Sequence, residues 1–175
     1  MRMRNGLIVS FICFVLIFSS ALVQGAPEKE ISQDTRCAVC GMFVAKYGNW
    51  GTQVRLADSS TLFFDGMKDL MVFYHNPQKY SSFTTQDIKE AWARDYYSQE
   101  WIDGFKAFYV VGSDVLGPMG KEFIPFVDKA AAETFLKDHK GHKILTFNEI
   151  TDELVQSMRM KMKMKHGGKM KNGNS

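Results

Sequence analysis

Twice along this chain a short β-prone run ends in an aspartate that opens an amphipathic helix. The first is TLFF (Thr61 to Phe64), then Asp65 before GMKDLMVFYH, where Met67, Leu70, Met71 and Tyr74 keep helical spacing and Asn76-Pro77 stops the run. The second is KEFIPF, then Asp128 before a helix expected from Lys129 to His139 and ended by Lys140-Gly141. Each run is preceded by another strand-like segment. TQVRLA (Thr52 to Ala57) turns back through Asp58-Ser59-Ser60, and AFYVVGS turns back through GPMG. Each helix is followed by a strand-like return, residues 84–101 in the first case, where aromatic clustering favours a strand, and HKILTF in the second. This is a faint internal repeat, and its mixture of paired strands and single helices reads as an α+β chain. Composition adds a strand over Met42 to Tyr47 and a closing helix over NEITDELVQSM.

The first 25 residues are of another kind. Arg2 and Arg4 precede an uncharged apolar run from Leu7 to Phe18, followed by small residues at Ser19, Ser20 and Ala21, which is the pattern of a secretory signal peptide. Cleavage is expected between Gly25 and Ala26, because a cut after Ala26 would place Pro27 next to the scissile bond. Retention of the segment as a membrane anchor is the alternative reading. Cys13 lies well before the cut, and the residue directly after the cut is Ala26 and not a cysteine, so a lipid anchor is not expected.

About 150 residues then remain, enough for one ordinary domain or two small units sharing a core. With 14 Phe, 6 Tyr and 3 Trp the chain can build that core without disulfide staples. Charge is unevenly spread. Of the formal net charge of +3, Arg2 and Arg4 carry two units and the segment after Ser157 carries six, as Arg159 and five lysines, which leaves residues 26–157 at −5. An acidic body excludes a nucleic-acid-binding face there. The basic segment suits peripheral contact with an anionic membrane or an acidic partner.

Past the leader only Cys37 and Cys40 remain, in the run CAVCGM. A disulfide closing so short a loop restrains the unfolded chain little, so stabilisation does not explain them. A c-type haem needs His after the second Cys, and Gly41 stands there. Three readings stay open. A structural zinc site needs more ligands, and the other plausible pair is His139 with His142, which a helix C-terminus explains as well. A thioredoxin-type pair needs a helix immediately after the motif, where β-prone Met42 to Tyr47 follows instead. A soft-metal cradle draws on thioethers, and Met42 stands two residues past Cys40 while Met119 occupies the GPMG turn. Met67 and Met71 are better explained as helix core. Met158, Met160, Met162 and Met164 recur at every second residue, a spacing that aligns thioethers on an extended segment, and with His166 and Met170 they suggest a scavenger of soft metal.

CAVCGM, followed by FFDGMKDLMVFY, DYYSQEWIDGFKAFYVVGSDVLGPMGKEFIPF and FLKDHKGHKILTFNEI, resembles the NosL family of nitrous oxide reductase accessory proteins, over about residues 35–155. The resemblance implies a periplasmic copper(I)-binding metallochaperone, with no turnover, and nitrous oxide reductase and its ABC-type maturation transporter as partners. It also implies two similar ββαβ units packed together. They are placed at residues 26–80, with the CxxCGM motif, and 81–157, with the GPMG turn. A tail over 158–175 is expected to be disordered. On the matching positions Cys37, Cys40, Met42 and Met119 become the candidate copper ligands. Two features depart from the family pattern, the missing cysteine at the cut and the Met/Lys-rich tail. The rival function is a periplasmic thiol–disulfide oxidoreductase serving a metalloenzyme.

Overall fold

A computed structural model describes the backbone of residues 25–167 and the side chains of residues 25–159. The signal-peptide reading therefore falls outside the described residues, as does the chain after residue 167. The element order is β1 (Thr52–Leu56), β2 (Thr61–Phe64), α1 (Met67–His75), β3 (Ile88–Arg94), β4 (Trp101–Asp103), β5 (Phe108–Gly117), β6 (Gly120–Phe126), α2 (Lys129–Asp138), β7 (Lys143–Thr146) and α3 (Asp152–Gly167).

The strands form two antiparallel sheets, ordered β2-β1-β3-β4 and β6-β5-β7. In each, the first strand of a hairpin is central, and the strand that returns after the helix pairs on its far side. The ββαβ order thus occurs twice, and β4 is an addition to the first sheet. Because β3 pairs with β1, the first unit closes at Arg94 rather than at residue 80.

Both helices after the hairpins are core elements, to different degrees. Every residue of α1 from Met67 to Phe73 is buried, including Lys68 and Asp69. The larger core gathers Val54, Leu56, Phe64, Leu70, Met71, Phe73, Tyr109, Phe123 and Phe147. Truncating Leu70, with none of its surface exposed, should cost about 2–5 kcal/mol. Helix α2 covers a smaller cluster of Val110, Ile124, Phe126, Ala132 and Phe135.

Each helix start is also held from the other unit. Asp95, in the β3–β4 turn, accepts the Val127 N–H at 2.8 Å just ahead of α2, and Glu122 of β6 accepts the Lys68 N–H in the first turn of α1. The two units therefore fold as one interlocked body.

Two local expectations change. Residues 44–47 form a 3-10 helix instead of a strand; the pairing in this stretch is a single bridge between Arg36 and Phe43, where the cysteine loop folds on itself. The final helix begins at Asp152, after a 3-10 turn over Phe147–Glu149, and its backbone continues to Gly167, so the stretch from residue 158 expected to be disordered is helical for ten residues. Helix α3 packs through Val155, Leu154 and Met158 into the larger core.

Candidate metal centre

The CAVC segment is shaped by a short ladder. The Val44 N–H donates to Thr35 O at 3.0 Å and the Cys37 N–H to Met42 O at 2.8 Å, so the two arms of the loop face each other. At the tip the Gly41 N–H reaches Cys37 O at 2.9 Å, and Gly41 takes φ +75°, a conformation that a side chain disfavours. Arg36 closes the outside of the loop by lying over the Phe43 ring, 3.5 Å from its centroid, and by donating to Gly41 O at 3.1 Å. The Ala38 N–H donates to Phe63 O at 3.0 Å, which docks the loop on β2. This last bond decides the chemistry, since Asp65 follows β2 directly.

Four donor atoms meet there. One thiol or carboxylate atom from each of Cys37, Cys40, Asp65 and Asp69 lies within 4.8 Å of all the others. Cys37, Asp65 and Asp69 are buried and Cys40 is partly exposed, so the pocket opens on the Cys40 side. The Cys37 thiol donates to Asp69 Oδ2 at 3.5 Å. Both Asp65 oxygens are buried, and among the described residues only the Cys37 and Cys40 thiols face them, with no N–H or O–H donor in reach. Burial, and then the neighbouring Asp69 charge, push the Asp65 carboxyl above its usual range. The Cys40 thiol is pushed well up by its contact with the Cys37 sulfur, and further by burial and by Asp69. So many acidic groups in one small space oppose each other's ionisation. A cation entering it would replace protons and give the orphaned carboxyl a partner. The residues present therefore fit a metal ion.

Sequence reading placed only part of this centre. The structure brings Cys37 and Cys40 together. Met42 gives its carbonyl to the loop ladder, and Met119 sits in the β5–β6 turn with its carbonyl 2.7 Å from Lys68 Nζ, one residue before Asp69. Both methionines are half-buried, Met42 on the cysteine loop itself and Met119 on the turn that Lys68 grips. Met67 and Met71 are core, with 1% and 0% of their surface exposed. His139 bonds Asp114 Oδ1 at 3.1 Å and stacks on Phe135, apart from the cysteines.

Asp65 and Asp69 are the residues that sequence reading missed. Asp65 was expected as the cap of α1, yet Gly66 occupies that position and no side chain of the segment caps the helix. Two signals were available. Asp65 and Asp69 are four residues apart across a helix start, and Asp69 with Lys68 interrupts an otherwise apolar buried run.

The NosL family model matches residues 28–155. The "Copper-binding lipoprotein NosL" of Achromobacter cycloclastes is 25% identical over 161 residues, covering 88% of this chain and 83% of that protein. The protein of the same name from Stutzerimonas stutzeri is 36% identical over 67 residues, 38% of this chain and 33% of its own length. Among solved structures, the crystal structure of the copper chaperone NosL from Shewanella denitrificans superimposes with a TM-score of 0.65 at 24% identity. That match covers 74% of this chain and 99% of the other.

Proposed function

The chain belongs to the NosL family, and from that premise we propose that it is a periplasmic copper(I) metallochaperone, a binding protein that carries copper to the copper centres of nitrous oxide reductase. The relatives' names supply the metal. The observation that carries the reading on this chain is the convergence of the Cys37 and Cys40 thiols with the carboxylates of Asp65 and Asp69 within 4.8 Å, Asp65 being buried with no N–H or O–H donor among the described residues. Paired thiolates prefer a soft ion, and the half-buried Met42 and Met119 on the adjoining segments suit copper(I) better than zinc. The open Cys40 side gives a route for passing the ion to a recipient by exchange of ligands. The ABC-type maturation transporter is proposed as the membrane partner, with the basic residues after Ser157 making peripheral contact at the anionic surface. A lipid anchor has no part in this reading, since the residue directly after the expected cut is Ala26 and not a cysteine.

The oxidoreductase alternative finds less support in the geometry. A reactive CxxC pair sits at a helix N-terminus that lowers the first thiol's pKa. Here Gly41 turns the chain away, the next helical residues begin only at Val44, and the Cys40 thiol is pushed up. Competition with a chromophoric copper(I) chelator tests the proposal. One ion should be retained per chain, and Cys37→Ser should weaken retention on the order of a hundredfold or more, since even supporting residues around metal sites are worth 10–100-fold. Equal retention by parent and variant would defeat the copper reading.

A further inference from the structure

Lys68 is the most anomalous residue of α1. It is 1% exposed, in a run where a leucine would satisfy the packing, and burying an ammonium group is costly unless it is fully bonded. Its Nζ donates to Met119 O and to Lys121 O, both at 2.7 Å. One carbonyl lies in the β5–β6 turn and the other at the start of β6, so the amine grips the hairpin tip from the first turn of the helix. Glu122 returns the contact. It is 3% exposed and accepts the Lys68 backbone N–H, filling the cap position that Gly66 leaves without a side chain. The approach is close on both flanks. A Cβ on Gly66 would stand 2.6 Å from Glu122 Oε2, and one on Gly117 would stand 3.1 Å from Glu122 Cβ.

We propose that Lys68 and Glu122 form a clasp that positions Met119 beside the Cys37, Cys40, Asp65 and Asp69 donors, so that the second unit contributes a thioether to the ion held by the first. The inference rests on the copper(I) reading. Lys68 precedes Asp69 on the same helical turn, and Glu122 lies three residues past Met119 on the hairpin. Each partner of the clasp is thus tied to a different part of the ligand set. Neither Lys68 nor Glu122 touches the ion in this proposal, and both act through the placement of the hairpin tip. A helix cap alone would explain Glu122. It would not explain an amine spent on two carbonyls of the turn that carries Met119.

The test compares the parent with Cys37→Ser, Met119→Leu, Lys68→Met and the double variant Met119→Leu/Lys68→Met, using copper(I) affinity and X-ray absorption of the loaded protein. Lys68→Met keeps the buried aliphatic stem and removes only the grip. It should weaken copper(I) about tenfold, within the range for residues that orient metal ligands, and remove one sulfur from the first shell. Met119→Leu should do the same, and the double variant should be no weaker than either single one, because all three lose the same ligand. Unchanged affinity in Lys68→Met, or losses that simply add, would overturn the clasp even if Cys37→Ser abolishes binding. No effect of Cys37→Ser would instead overturn the copper reading beneath it. Should Lys68→Met fail to fold, hydrogen exchange on the parent decides. Amides of residues 116–121 and of Lys68 should gain protection together on copper(I) loading, and no gain there overturns the proposal.

Discussion

The two ββαβ units differ most where their architecture is most alike, at the step from second strand to helix. In the second unit β6 ends at Phe126, and Asp128 caps α2 by accepting the Ala131 N–H at 2.8 Å. In the first, β2 ends at Phe64, and the aspartate comes one residue earlier, at Asp65, with Gly66 in the capping position. The single-residue offset changes the role of the carboxylate. Asp128 serves its own helix, whereas Asp65 points at two thiols and leaves the capping of α1 to Glu122 from the other unit. Duplication of a frame thus leaves one copy structural and frees the other for chemistry. The cost is a helix start that depends on its neighbour.

The largest test of this division is oxidation. The Cys37 and Cys40 sulfurs lie within 4.8 Å of each other, and a disulfide needs about 2.05 Å, a gap that small side-chain rotations close. A Cys37–Cys40 disulfide should abolish copper(I) retention, because both thiolates leave the donor set together. Amide spectra of residues 128–146 should stay unchanged, since α2 and β7 hold none of the donors. Copper retained by the oxidised protein would show that the cysteines are not ligands.

Asp65→Asn comes next. The substitution keeps shape and removes a buried carboxyl that only two thiols face among the described residues, so thermal stability should be unchanged or raised. Metal retention should nonetheless fall on the order of 10–100-fold, as for other groups that support a metal site. Titration with the copper(I) chelator reads the fall. A variant that loses stability and keeps the metal would return Asp65 to the structural role of Asp128.

These aspartates also mark the limit of what the sequence discloses. The order of strands and helices was readable, because alternation, turn residues and helical spacing are local properties. The Asp128 cap was readable for the same reason, and it stands as expected. Asp65 presented the same local signal and does something else, since its role is decided by the Ala38–Phe63 bond that brings the cysteine loop to the end of β2, 25 residues away in sequence. The 3-10 turn at 44–47 escaped for a related reason: β-prone residues become a strand only where tertiary contacts pair them, and here the chain turns into a 3-10 helix just after the Arg36–Phe43 bridge. The pairing of β3 with β1 likewise depends on a long-range contact, which is why the first unit extends past residue 80.

Glu122 offers a graded test of the borrowed cap. Burial pushes its carboxyl up to about 8, with the Lys68 charge and two backbone N–H groups pulling the other way. An acid whose folded-state value is raised holds its proton in the native chain while the unfolded chain has released it. Stability tied to this group is therefore complete below the ordinary carboxylate range and declines as the pH rises toward 8. The decline can reach about 1.4 kcal/mol per pH unit across that window. Glu122→Gln can still accept the Lys68 N–H and cannot ionise, so urea unfolding of the variant should lose this slope between about pH 5 and pH 8. An identical slope in parent and variant would mean that Glu122 ionises freely, and the first helix would then be capped by a charge.

The smallest effect belongs to the helix that caps itself. Asp128→Ala removes one charge-assisted bond to the Ala131 N–H at a position with exposed surroundings, which should cost about 1 kcal/mol. For a chain of this size that lowers the melting temperature by roughly 2–4 °C. The copper(I) affinity should not change, because Val127, held by Asp95, already fixes where the strand ends and the helix begins. Asp65→Asn and Asp128→Ala are therefore expected to dissociate cleanly, one altering the metal and sparing the fold, the other altering the fold and sparing the metal. If Asp128→Ala weakened copper(I) as well, the second unit's helix would be coupled to the first unit's donors through the Asp95 turn. The division between a structural copy and a chemical one would then have to give way to a single cooperative site.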